Sequence, residues 1–530
     1  MLPFSESVLE FGASFLIARA RRALKAQGQE SLTQEKCRCE WVKRAAGTEY
    51  GKLHGVEAGM SLADWRERVT LSHYESLAPY IKRMMNGEVG VLWPGRCDLF
   101  AVTSGTTEKW TKYLPVTREM QAHFRRAGQD AVLYYAVRTG GGAIFRGKHL
   151  LFGTSTARLQ MEGGGEHAAY VAELSGIMVS SLHPWIKNHL CLPGREVAEM
   201  PDGEERVLAI AQRCVGGDIT MLAGIPGGVL RLAEAVLQES ARQGRPAATL
   251  KEVWPSLECV IHGGVPVGPY ASELWQRCGE GVKLHEIYLA AEGFIAAQDA
   301  EPFMGLRLMT DQGIFYEFLP LADFDLQSEE SLGAKAVTIA EVKSGVDYVL
   351  ILTTSAGLCR YVLGDVVRFI STEPPRLVYV GRTELQLSMV GERVSEKELT
   401  DVLSTVCRRQ GWQVVNFHVA PKFGDAEFGS KRGCHEWWLE LRPGTEATPT
   451  GPVIAAQLDA ELQLINRGYA ARRIEGRLGE PLVRLVMPGI FEHWQRGEGR
   501  WGGQQMILRC RGDREIADAL AKLTRFYDSD

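Results

Sequence analysis

The stretch Phe100-Ala-Val-Thr-Ser-Gly-Thr-Thr107 is a short apolar run that ends in a turn of hydroxyl side chains around a glycine. The apolar run predicts a β-strand, and the polar residues after it predict a turn. Hydroxyl groups can donate hydrogen bonds to phosphate oxygens, the glycine lets the backbone approach them, and Lys112 adds positive charge. We therefore predict phosphate binding by Ser104, Gly105, Thr106 and Thr107. Taken alone, the segment is also compatible with an ordinary surface turn.

Apolar runs of strand length recur after this segment, and helical patterns lie between several of them. The clearest helical pattern is Val229–Glu239, whose apolar residues fall on one face. Alternating strands and helices predict an α/β domain with a largely parallel sheet. The predicted strands are His149–Phe152, Leu257–Ile261, Val282–Tyr288, Gly313–Leu319, Val337–Val342 and Tyr348–Thr353.

The sequence pattern changes from Leu377 onward. A predicted strand at Leu377–Val380, a turn and a predicted helix at Ser395–Cys407 open a segment with a further strand of its own, Trp437–Leu441. We therefore place a domain boundary near Glu384, which divides the chain into residues 1–384 and 385–530.

Composition excludes several classes of function. The 530 residues carry a net charge of −5, which argues against a broad nucleic-acid-binding surface. No uncharged span of about 18 residues is present, so we expect no transmembrane helix and no membrane partner. The eleven cysteines show neither zinc-type spacing nor a disulfide framework, which favours a reducing cytoplasm.

Three further motifs sit at predicted strand ends. In His262-Gly-Gly-Val-Pro266, a double glycine lets a flat ligand lie against the backbone. In Tyr288-Leu-Ala-Ala-Glu-Gly293, the aromatic ring can stack on a base and the carboxylate can hold Mg²⁺. In Arg360-Tyr-Val-Leu-Gly-Asp365, the aspartate can accept hydrogen bonds from a ribose diol, and Arg382 further on can reach a ribose or phosphate. Each motif alone is also compatible with a plain turn.

The order of these motifs is that of adenylate-forming enzymes of the acyl-CoA synthetase and luciferase superfamily. Within it, the chain resembles the Gretchen Hagen family of auxin-responsive acyl acid amido synthetases, particularly its bacterial members. The resemblance runs nearly from end to end. It is carried by Tyr80–Met84, Leu92–Gly95, Phe100–Thr107, Ala223–Pro226, Trp254-Pro255, His262–Val265, Tyr316–Pro320, Gly357–Asp365 and Met487–Phe491.

The resemblance implies an α/β fold with a large N-terminal domain that binds ATP and an acid, and a smaller, mobile C-terminal α+β domain. It also implies two half-reactions. A small carboxylic acid and ATP form an acyl-adenylate and pyrophosphate, and an amine, usually that of an amino acid, then displaces AMP.

The same resemblance implies roles for individual residues. Lys112, Glu292 and Arg509 are the implied catalytic residues, and Glu292 also holds Mg²⁺. The nucleotide-binding residues that it implies are Ser104, Gly105, Thr106, Thr107, Gly263, Gly264, Val265, Tyr288, Asp365 and Arg382.

The chain departs from the family pattern at three places. Glu108-Lys-Trp110 follows the phosphate turn, Ala291 replaces a serine, and Met506 stands where the family has a lysine. Loss of one such charged donor costs about a hundred- to a thousandfold in rate. Lys109, Lys431 or Arg509 can be considered as substitutes for that lysine.

These departures leave two alternatives to an amide-forming ligase. One is a family member that binds nucleotide or acid but has lost the chemistry. The other is an adenylating enzyme that passes its acyl group to a thiol such as coenzyme A.

Overall fold

The structure is a computed structural model that describes residues 6–25, 28–104, 111–161, 168–324, 329–383, 385–423, 432–442, 449–497 and 507–527. The chain divides into two compact units. The first comprises Met1–Gly264 and Gln276–Val378, and the second comprises Val265–Trp275 and Tyr379–Asp530. The predicted boundary residue, Glu384, lies outside the described residues, so the predicted domain limits stay a prediction.

The helices of the first unit begin with a long N-terminal pair. Thirteen α-helices are described up to Cys278, the last of which begins in the second unit: α1 (Glu6–Lys25), α2 (Glu30–Ala45), α3 (Glu49–Leu53), α4 (Leu62–Arg68), α5 (Tyr74–Met85), α6 (Arg118–Thr139), α7 (Leu174–Ser180), α8 (Pro184–His189), α9 (Arg195–Ala198), α10 (Glu204–Cys214), α11 (Pro226–Arg242), α12 (Leu250–Val253) and α13 (Ala271–Cys278).

Two sheets form the first unit. Its described strands are β1 (Leu99–Ser104), β2 (Thr111–Pro115), β3 (Lys148–Leu151), β4 (Leu159–Gln160), β5 (Tyr170–Glu173), β6 (Cys191–Leu192), β7 (Ile219–Ala223), β8 (Cys259–His262), β9 (Lys283–Ala290), β10 (Gly293–Ala297), β11 (Leu306–Leu308), β12 (Phe315–Pro320), β13 (Asp347–Thr353), β14 (Tyr361–Thr372) and β15 (Pro375–Arg382). The last strand continues into the second unit.

The larger sheet has eleven strands in the order β12-β13-β14-β15-β11-β10-β9-β8-β7-β3-β6. Strands β6, β3, β7, β8 and β9 pair in parallel, as the alternation of strands and helices predicts. The pairs β9–β10, β10–β11, β11–β15, β12–β13 and β13–β14 are antiparallel, so the sheet is mixed. The α/β class is confirmed, with parallel pairing confined to one half of this sheet.

The core of the first unit includes the middle strand of this sheet, β10, and extends to β13 next to its edge. All residues of β10 are buried, and so are Tyr348–Thr353 of β13. Burial on both faces explains why these strands read as continuous apolar runs instead of alternating with polar residues. Helix α6 packs on β10 and brings buried polar side chains to that region.

One predicted strand is wrong. Val337–Val342 does not form a strand, and only Val337 pairs, as an isolated antiparallel bridge with Phe318 of β12. Ile339 and Val342 of this segment are nevertheless buried, because burial does not require pairing with another strand.

The second unit is a small α+β structure. Its described helices are α14 (Glu396–Gln410), α15 (Gly451–Ile465), α16 (Arg467–Ile474), α17 (Ile490–Gly497) and α18 (Glu515–Tyr527). Its strands are β16 (Gln386–Leu387), β17 (Val394–Ser395), β18 (Val414–Lys422), β19 (Cys434–Leu441) and β20 (Leu482–Val486). Strands β18, β19 and β20 form one sheet, and helix side chains complete its buried core.

Helix α14 shows how local sequence sets an element of this unit. Ser395 and Glu398 form a reciprocal capping box at its N-terminus, and Gly411 ends it in the left-handed conformation with φ of 71°. Such caps satisfy backbone groups that have no partner inside the helix. The prediction of a helix over Ser395–Cys407 is confirmed within a few residues.

Candidate functional site

Two of the predicted site residues, Tyr288 and Asp365, are joined by a hydrogen bond in the first unit. Tyr288 lies on β9 and Asp365 on β14, and the Tyr288 hydroxyl donates to Asp365 Oδ2 at 2.5 Å. Both residues are buried, with 9% and 7% of their surface exposed. A hydroxyl-to-carboxylate bond of this length is typical of a charge-assisted contact. The fold therefore brings together two motifs that the sequence analysis could connect only by their order.

This contact requires a strongly curled sheet. Strands β9 and β14 are separated in the sheet order by β10, β11 and β15. In a flat sheet the two strands would be about 19 Å apart, since neighbouring strands are spaced by about 4.8 Å. No tyrosine can span that distance, so the strands from β9 to β14 curve round, and the side chains of Tyr288 and Asp365 meet inside the curve.

A bulge directs Asp365 to this position. Val349 of β13 pairs with Val366 and Ile351 pairs with Val362, so Leu363–Asp365 face the single residue Leu350. Gly364 has φ of 83°, a conformation that side-chain-bearing residues rarely adopt. Bulges turn a side chain away from regular alternation, and this one accounts for the glycine before the aspartate.

Glu292 lies at the tip of a β-hairpin. Ala290 at the end of β9 pairs with Gly293 at the start of β10, so Ala291 and Glu292 form the turn between them. Glu292 is partly exposed, so a ligand can reach its carboxylate. Tyr288 lies on the same hairpin, so this one element positions two of the predicted residues.

The double glycine packs directly against this hairpin. A Cβ atom at Gly263 would lie 2.4 Å from the carbonyl oxygen of Ile287, so no larger residue fits without a shift. Gly264 has φ of 81° and a Cβ atom there would be 3.3 Å from Ile225. The pair thus lies beside Tyr288, at the carboxyl end of β8, where open parallel sheets bind ligands.

His262, just before the glycines, is buried and carries no positive charge near neutral pH. Burial lowers the pKa of its imidazole to about 4. Its Nδ1 atom has no hydrogen-bond partner among the described residues. We assign it no role in binding phosphate, because a neutral imidazole adds no cationic charge to the site.

The predicted phosphate turn connects β1 and β2. Thr103 pairs with Lys112 and Ser104 with Thr111, so residues 105–110 link the two strands of an antiparallel hairpin. Gly105, Thr106 and Thr107, like the side chain of Ser104, lie outside the described residues. The Nζ atom of Lys112 lies 5.3 Å from the centroid of the Tyr74 ring, a cation–π contact.

The phosphate turn and the other first-unit residues belong to different sheets. Strands β1 and β2 form part of a four-stranded sheet, whereas Tyr288, Glu292 and Asp365 belong to or adjoin strands of the eleven-stranded sheet. The residues predicted to bind the base, the ribose and the metal therefore lie on or beside one hairpin. That the phosphate turn approaches these residues stays a prediction.

The remaining predicted residues, Val265, Arg382 and Arg509, belong to the second unit. Arg382 ends β15, and its carbonyl accepts a hydrogen bond from the Leu385 N–H at 3.0 Å. Arg509 is only 5% exposed and its guanidinium lies 4.8 Å from the centroid of the Phe417 ring. It also donates a hydrogen bond to the Tyr270 hydroxyl, so within this unit it is a packed side chain with defined partners.

Arg360 is a residue of a candidate motif that the structure assigns to the core. Its guanidinium and the Glu317 carboxylate form a bidentate pair at 2.8 and 3.0 Å, and both side chains are fully buried. Trp65 Nε1 donates to the same carboxylate at 3.1 Å, and the carbonyls of Val69 and Gly333 accept from Arg360 at 2.6 Å. This side chain is saturated by the protein and stabilises the start of β14.

His123 is a residue of the site region that sequence reasoning missed. It lies on α6 and accepts a hydrogen bond from the Phe294 N–H of the hairpin through Nε2, at 2.8 Å. A single histidine on an amphipathic helix carries no signal in the sequence that separates it from an ordinary buried histidine.

A search of the described residues finds no group of three or more His, Cys, Asp or Glu side chains arranged to hold a metal ion. Magnesium bound together with substrate phosphates needs only one or two protein carboxylates, because phosphate oxygens and waters complete its shell. Glu292 as a single carboxylate fits that requirement. In the same described ranges, no helix is long and apolar enough to cross a membrane, and all eleven cysteines are free thiols.

Comparison with known proteins identifies relatives over nearly the whole chain. An indole-3-acetic acid-amido synthetase, GH3.8, of Oryza sativa subsp. indica is 24% identical, over 90% of this chain and 87% of the relative. A jasmonoyl–L-amino acid synthetase, JAR6, of Nicotiana attenuata is 24% identical, over 86% of each chain. A GH3 domain-containing protein of Homo sapiens is 29% identical, over 55% of this chain and 52% of its own length.

Solved structures share the fold. The GH3.15 acyl acid amido synthetase in complex with 2,4-DB matches with a TM-score of 0.75 and 17% identity, over 98% of this chain and 97% of the other. A 2-hydroxyisobutyryl-CoA ligase in the postadenylation state matches with a TM-score of 0.59 and 14% identity, over 94% and 91%. The adenylate-forming fold is therefore confirmed.

Family profiles match three consecutive parts of the chain. They are described as the GH3 family N-terminal, central and C-terminal domains and cover residues 21–284, 307–382 and 397–515. The candidate residues Asp365 and Arg382 lie in the central match, and Arg509 lies in the C-terminal match. The curled sheet, the hairpin with Tyr288 and Glu292, and these matches together lead to one conclusion: the chain belongs to the GH3 family.

Proposed function

We propose that this chain is an ATP-dependent, acyl-adenylate-forming ligase that joins a small carboxylic acid to an amine, with an amino acid as the expected acceptor. The observation that carries the proposal is the hydrogen bond between Tyr288 and Asp365. It joins the predicted base-stacking and ribose-binding residues, and the double glycine packs against the hairpin that carries the first of them. The amido synthetases among its relatives support this reaction class.

In this proposal the adenosine of ATP is held on the first unit. Gly263 and Gly264 line the slot for the adenine, the ring of Tyr288 lies against the base, and Asp365 accepts hydrogen bonds from the ribose hydroxyls. Tyr288 donates its own proton to Asp365. This contact keeps the carboxylate oriented before ATP arrives, which lowers the entropic cost of binding.

The first half-reaction needs negative charge to be offset. A carboxylate oxygen of the acid attacks the α-phosphorus, the bond from that phosphorus to the α,β-bridging oxygen breaks, and pyrophosphate leaves. We propose that Ser104, Gly105, Thr106 and Thr107 bind the phosphates and that Lys112 contributes charge. Glu292 would hold Mg²⁺, which when bound neutralises phosphate charge.

The second half-reaction needs water to be excluded. The amine nitrogen attacks the acyl carbon, the acyl carbon–oxygen bond to AMP breaks, and the nitrogen loses a proton to give the amide. We propose that residues 1–384 bind ATP and the acid, with Arg382 reaching the ribose or a phosphate. Residues 385–530 act as the lid, with Arg509 contributing charge from the lid. A cytoplasmic location, favoured by the free thiols, is part of this proposal.

Ala291 and Met506 favour one alternative, a family member that binds nucleotide but catalyses poorly. Ala291 forms part of the hairpin turn with Glu292, so the hydroxyl that the family has there is missing next to the metal candidate. Met506 lies outside the described residues. The missing lysine costs about a hundred- to a thousandfold in rate unless another cation replaces it.

Pyrophosphate exchange tests the proposal. The purified protein is given ATP, Mg²⁺ and a panel of carboxylic acids, and the expected result is acid-dependent exchange of label from pyrophosphate into ATP. ATP binding without exchange for any acid would contradict the ligase and support the impaired alternative. In that case Met506→Lys should raise the exchange rate.

Product mass identifies the acceptor. After exchange is found for one acid, the protein is incubated with that acid, ATP and either amino acids or coenzyme A. An amide product supports the proposal, whereas a thioester as the only product would contradict it in favour of the thiol-transferring alternative.

A further inference from the structure

The hairpin that carries Tyr288 and Glu292 is held from outside by one buried histidine. His123 lies on α6 and is 2% exposed. Its Nε2 atom lies 2.8 Å from the Phe294 nitrogen, and its Nδ1 atom lies 2.7 Å from the Gln312 carbonyl oxygen. Both ring nitrogens are therefore engaged with main-chain groups of two different segments.

These partners determine the tautomer of His123. The Phe294 N–H can only donate, so Nε2 must accept and carries no proton. The Gln312 carbonyl can only accept, so Nδ1 must carry the proton and donate it. Burial lowers the pKa of His123 to about 4, which keeps the ring neutral and this arrangement intact near neutral pH.

The bonded amide is available because of an irregularity in the hairpin. Phe294 pairs with Leu289 and Ala296 pairs with Tyr288, so β10 has one extra residue, Ile295, at this point. Such a bulge frees main-chain groups from the ladder, and here α6 supplies the missing acceptor. The Phe294 N–H is two positions after Glu292, so its hydrogen bond to His123 restrains the turn directly.

The segment that contains Gln312, on the other side of His123, is also fixed to α6. Gln312 donates its side-chain amide to Asp130 Oδ2 of α6 at 2.8 Å, so its segment is fastened twice to the same helix. Ile314, just after it, closes the space beside the hairpin, since a Cβ atom at Gly293 would lie 2.3 Å from its Cδ1 atom. Helix α6 and this segment thus form a rigid support for the hairpin.

We propose that His123 is a positioning residue for the ATP site, whose Nε2 atom holds the hairpin so that Tyr288 and Glu292 take their binding geometry. This inference rests on the proposed function, because the geometry matters only if the hairpin binds Mg·ATP. His123 itself lies behind the hairpin, and it acts through the main chain of Phe294.

Two substitutions separate this role from general stabilisation. In His123→Gln the side-chain oxygen can replace the Nε2 acceptor, and in His123→Asn the side-chain nitrogen can replace the Nδ1 donor. Each variant loses one of the two hydrogen bonds, so both should lower the melting temperature. Only His123→Asn leaves the Phe294 amide without its acceptor.

The first measurement is the dissociation constant for Mg·ATP by calorimetry, well below the melting temperature. We expect His123→Asn to raise it about tenfold, as loss of a supporting contact behind a binding residue commonly does. His123→Gln should stay within about threefold of the wild type, since it keeps the acceptor. The control His149→Gln, at a buried histidine on β3 whose Nε2 bonds the Ile144 carbonyl, should bind like the wild type.

The second measurement is amide hydrogen exchange of the peptide that contains Glu292 and Phe294. In the wild type the Phe294 amide should exchange slowly, and His123→Asn should accelerate it while His123→Gln does not. Fast exchange in the wild type would overturn the inference without any variant, which covers the case that His123→Asn does not fold.

The remaining outcomes distinguish the positioning role of His123 from the proposed function. Equal Mg·ATP affinity of both His123 variants and the wild type, or an equal loss in both variants, would overturn the positioning role and leave the proposed function standing. No binding of Mg·ATP by the wild type would overturn the proposed function and this role with it. A wild type that binds Mg·ATP but forms no acyl-adenylate, together with weaker binding by His123→Asn, would overturn the ligase alone.

Discussion

Arg360 and Asp365 lie in one short stretch of chain, yet the fold places them in opposite settings. Arg360 is fully buried and bonded to the Glu317 carboxylate and to main-chain carbonyls. Asp365 is the last residue of the bulge in β14 and accepts a hydrogen bond from the neutral hydroxyl of Tyr288. The first is a charge neutralised by the protein, and the second is a carboxylate held by a neutral donor.

Residues of one sequence motif therefore need not serve one function. The same six residues, Arg360–Asp365, contain a core ion pair that supports the strand and a side chain presented at the inner face of the curved sheet. Replacing one partner of a buried pair leaves an uncompensated charge, whereas replacing a site carboxylate mainly affects the ligand. The predictions below test that distinction, starting with the largest effect.

Removal of the Arg360 charge should lower the free energy of unfolding more than any of the other substitutions. Arg360→Met leaves Glu317 buried without its partner, so the free energy of unfolding should fall by about 3–5 kcal/mol. Denaturant unfolding measures it. The control Arg368→Met breaks an exposed pair with Asp347 and should cost less than about 1 kcal/mol.

A double variant tests whether the unpaired charge of Glu317 causes this loss of stability. Adding Glu317→Gln to Arg360→Met removes the stranded charge and keeps an acceptor for Trp65 Nε1. The double variant should regain stability relative to Arg360→Met. If the double variant is less stable than Arg360→Met, the buried charge is not the main cost.

Glu392 of the second unit extends the comparison to a buried carboxylate with no described arginine partner. It accepts hydrogen bonds from His435 Nε2 at 3.0 Å and from the N–H groups of Met389 and Val390 at 2.8 Å. Burial raises its pKa, but these hydrogen bonds outweigh burial and lower the pKa to about 2. Glu392→Gln should lower the free energy of unfolding by about 1–3 kcal/mol near neutral pH.

This loss should depend on pH in a defined direction. Because the folded-state pKa is below the ordinary value of 4.5, the stabilisation is fully present above pH 4.5 and disappears as the pH falls towards about 2. Urea unfolding of the wild type and Glu392→Gln at pH 6, 5 and 4 should show a difference that begins to shrink at pH 4. A difference that grows on acidification would contradict the assignment.

Asp365→Asn should affect the ligand far more than the fold. The amide oxygen can still accept from Tyr288, so the free energy of unfolding should change by less than about 1 kcal/mol. The ribose hydroxyls lose a charged acceptor, so the dissociation constant for ATP should rise about tenfold or more. The control is Asp347→Asn on neighbouring β13, which should bind ATP like the wild type. Unchanged ATP affinity in Asp365→Asn would show that Asp365 does not bind the ribose.

Tyr288→Phe should have the smallest effect. It keeps the ring and removes only the hydroxyl that orients Asp365. The cost in ATP affinity should be about threefold, as expected for one hydrogen bond that acts indirectly. Calorimetry with ATP measures it, and an effect larger than that of Asp365→Asn would reverse the proposed order of the two roles.

Much of the fold follows from local pattern. The strands at His149–Phe152, Leu257–Ile261 and Tyr348–Thr353 are confirmed to within a few residues, because a short apolar run bounded by turn residues suits a buried strand. The strand predicted at Val337–Val342 fails for the opposite reason, since Ile339 and Val342 are buried without a partner strand beside them. A pattern of apolar residues indicates that a segment is buried, but it does not establish that the segment pairs with another strand.

The site was predictable only in its parts. The sequence analysis placed Tyr288, Glu292 and Asp365 in one site through the order of motifs and a family resemblance. Glu292 follows the end of β9 and Tyr288 lies near that end, as predicted, whereas the predicted strand-end position of Asp365 is wrong, because Asp365 lies at a bulge inside β14. The roles of all three stay proposals. His123 was not predictable, because its function depends on a bulge in β10 and on the direction of α6.

Sequence patterns alone are enough for the α/β class, for several strands of the large sheet and for helix α11, and the order of motifs is enough for the GH3 family. These properties depend on residues close together in the chain, whose geometry is set by backbone sterics and burial. The tertiary structure alone decided that Arg360 is saturated in the core, that Tyr288 meets Asp365 and that His123 holds the hairpin. Each of these depends on the curvature of a sheet and on contacts between distant residues, which no local pattern encodes.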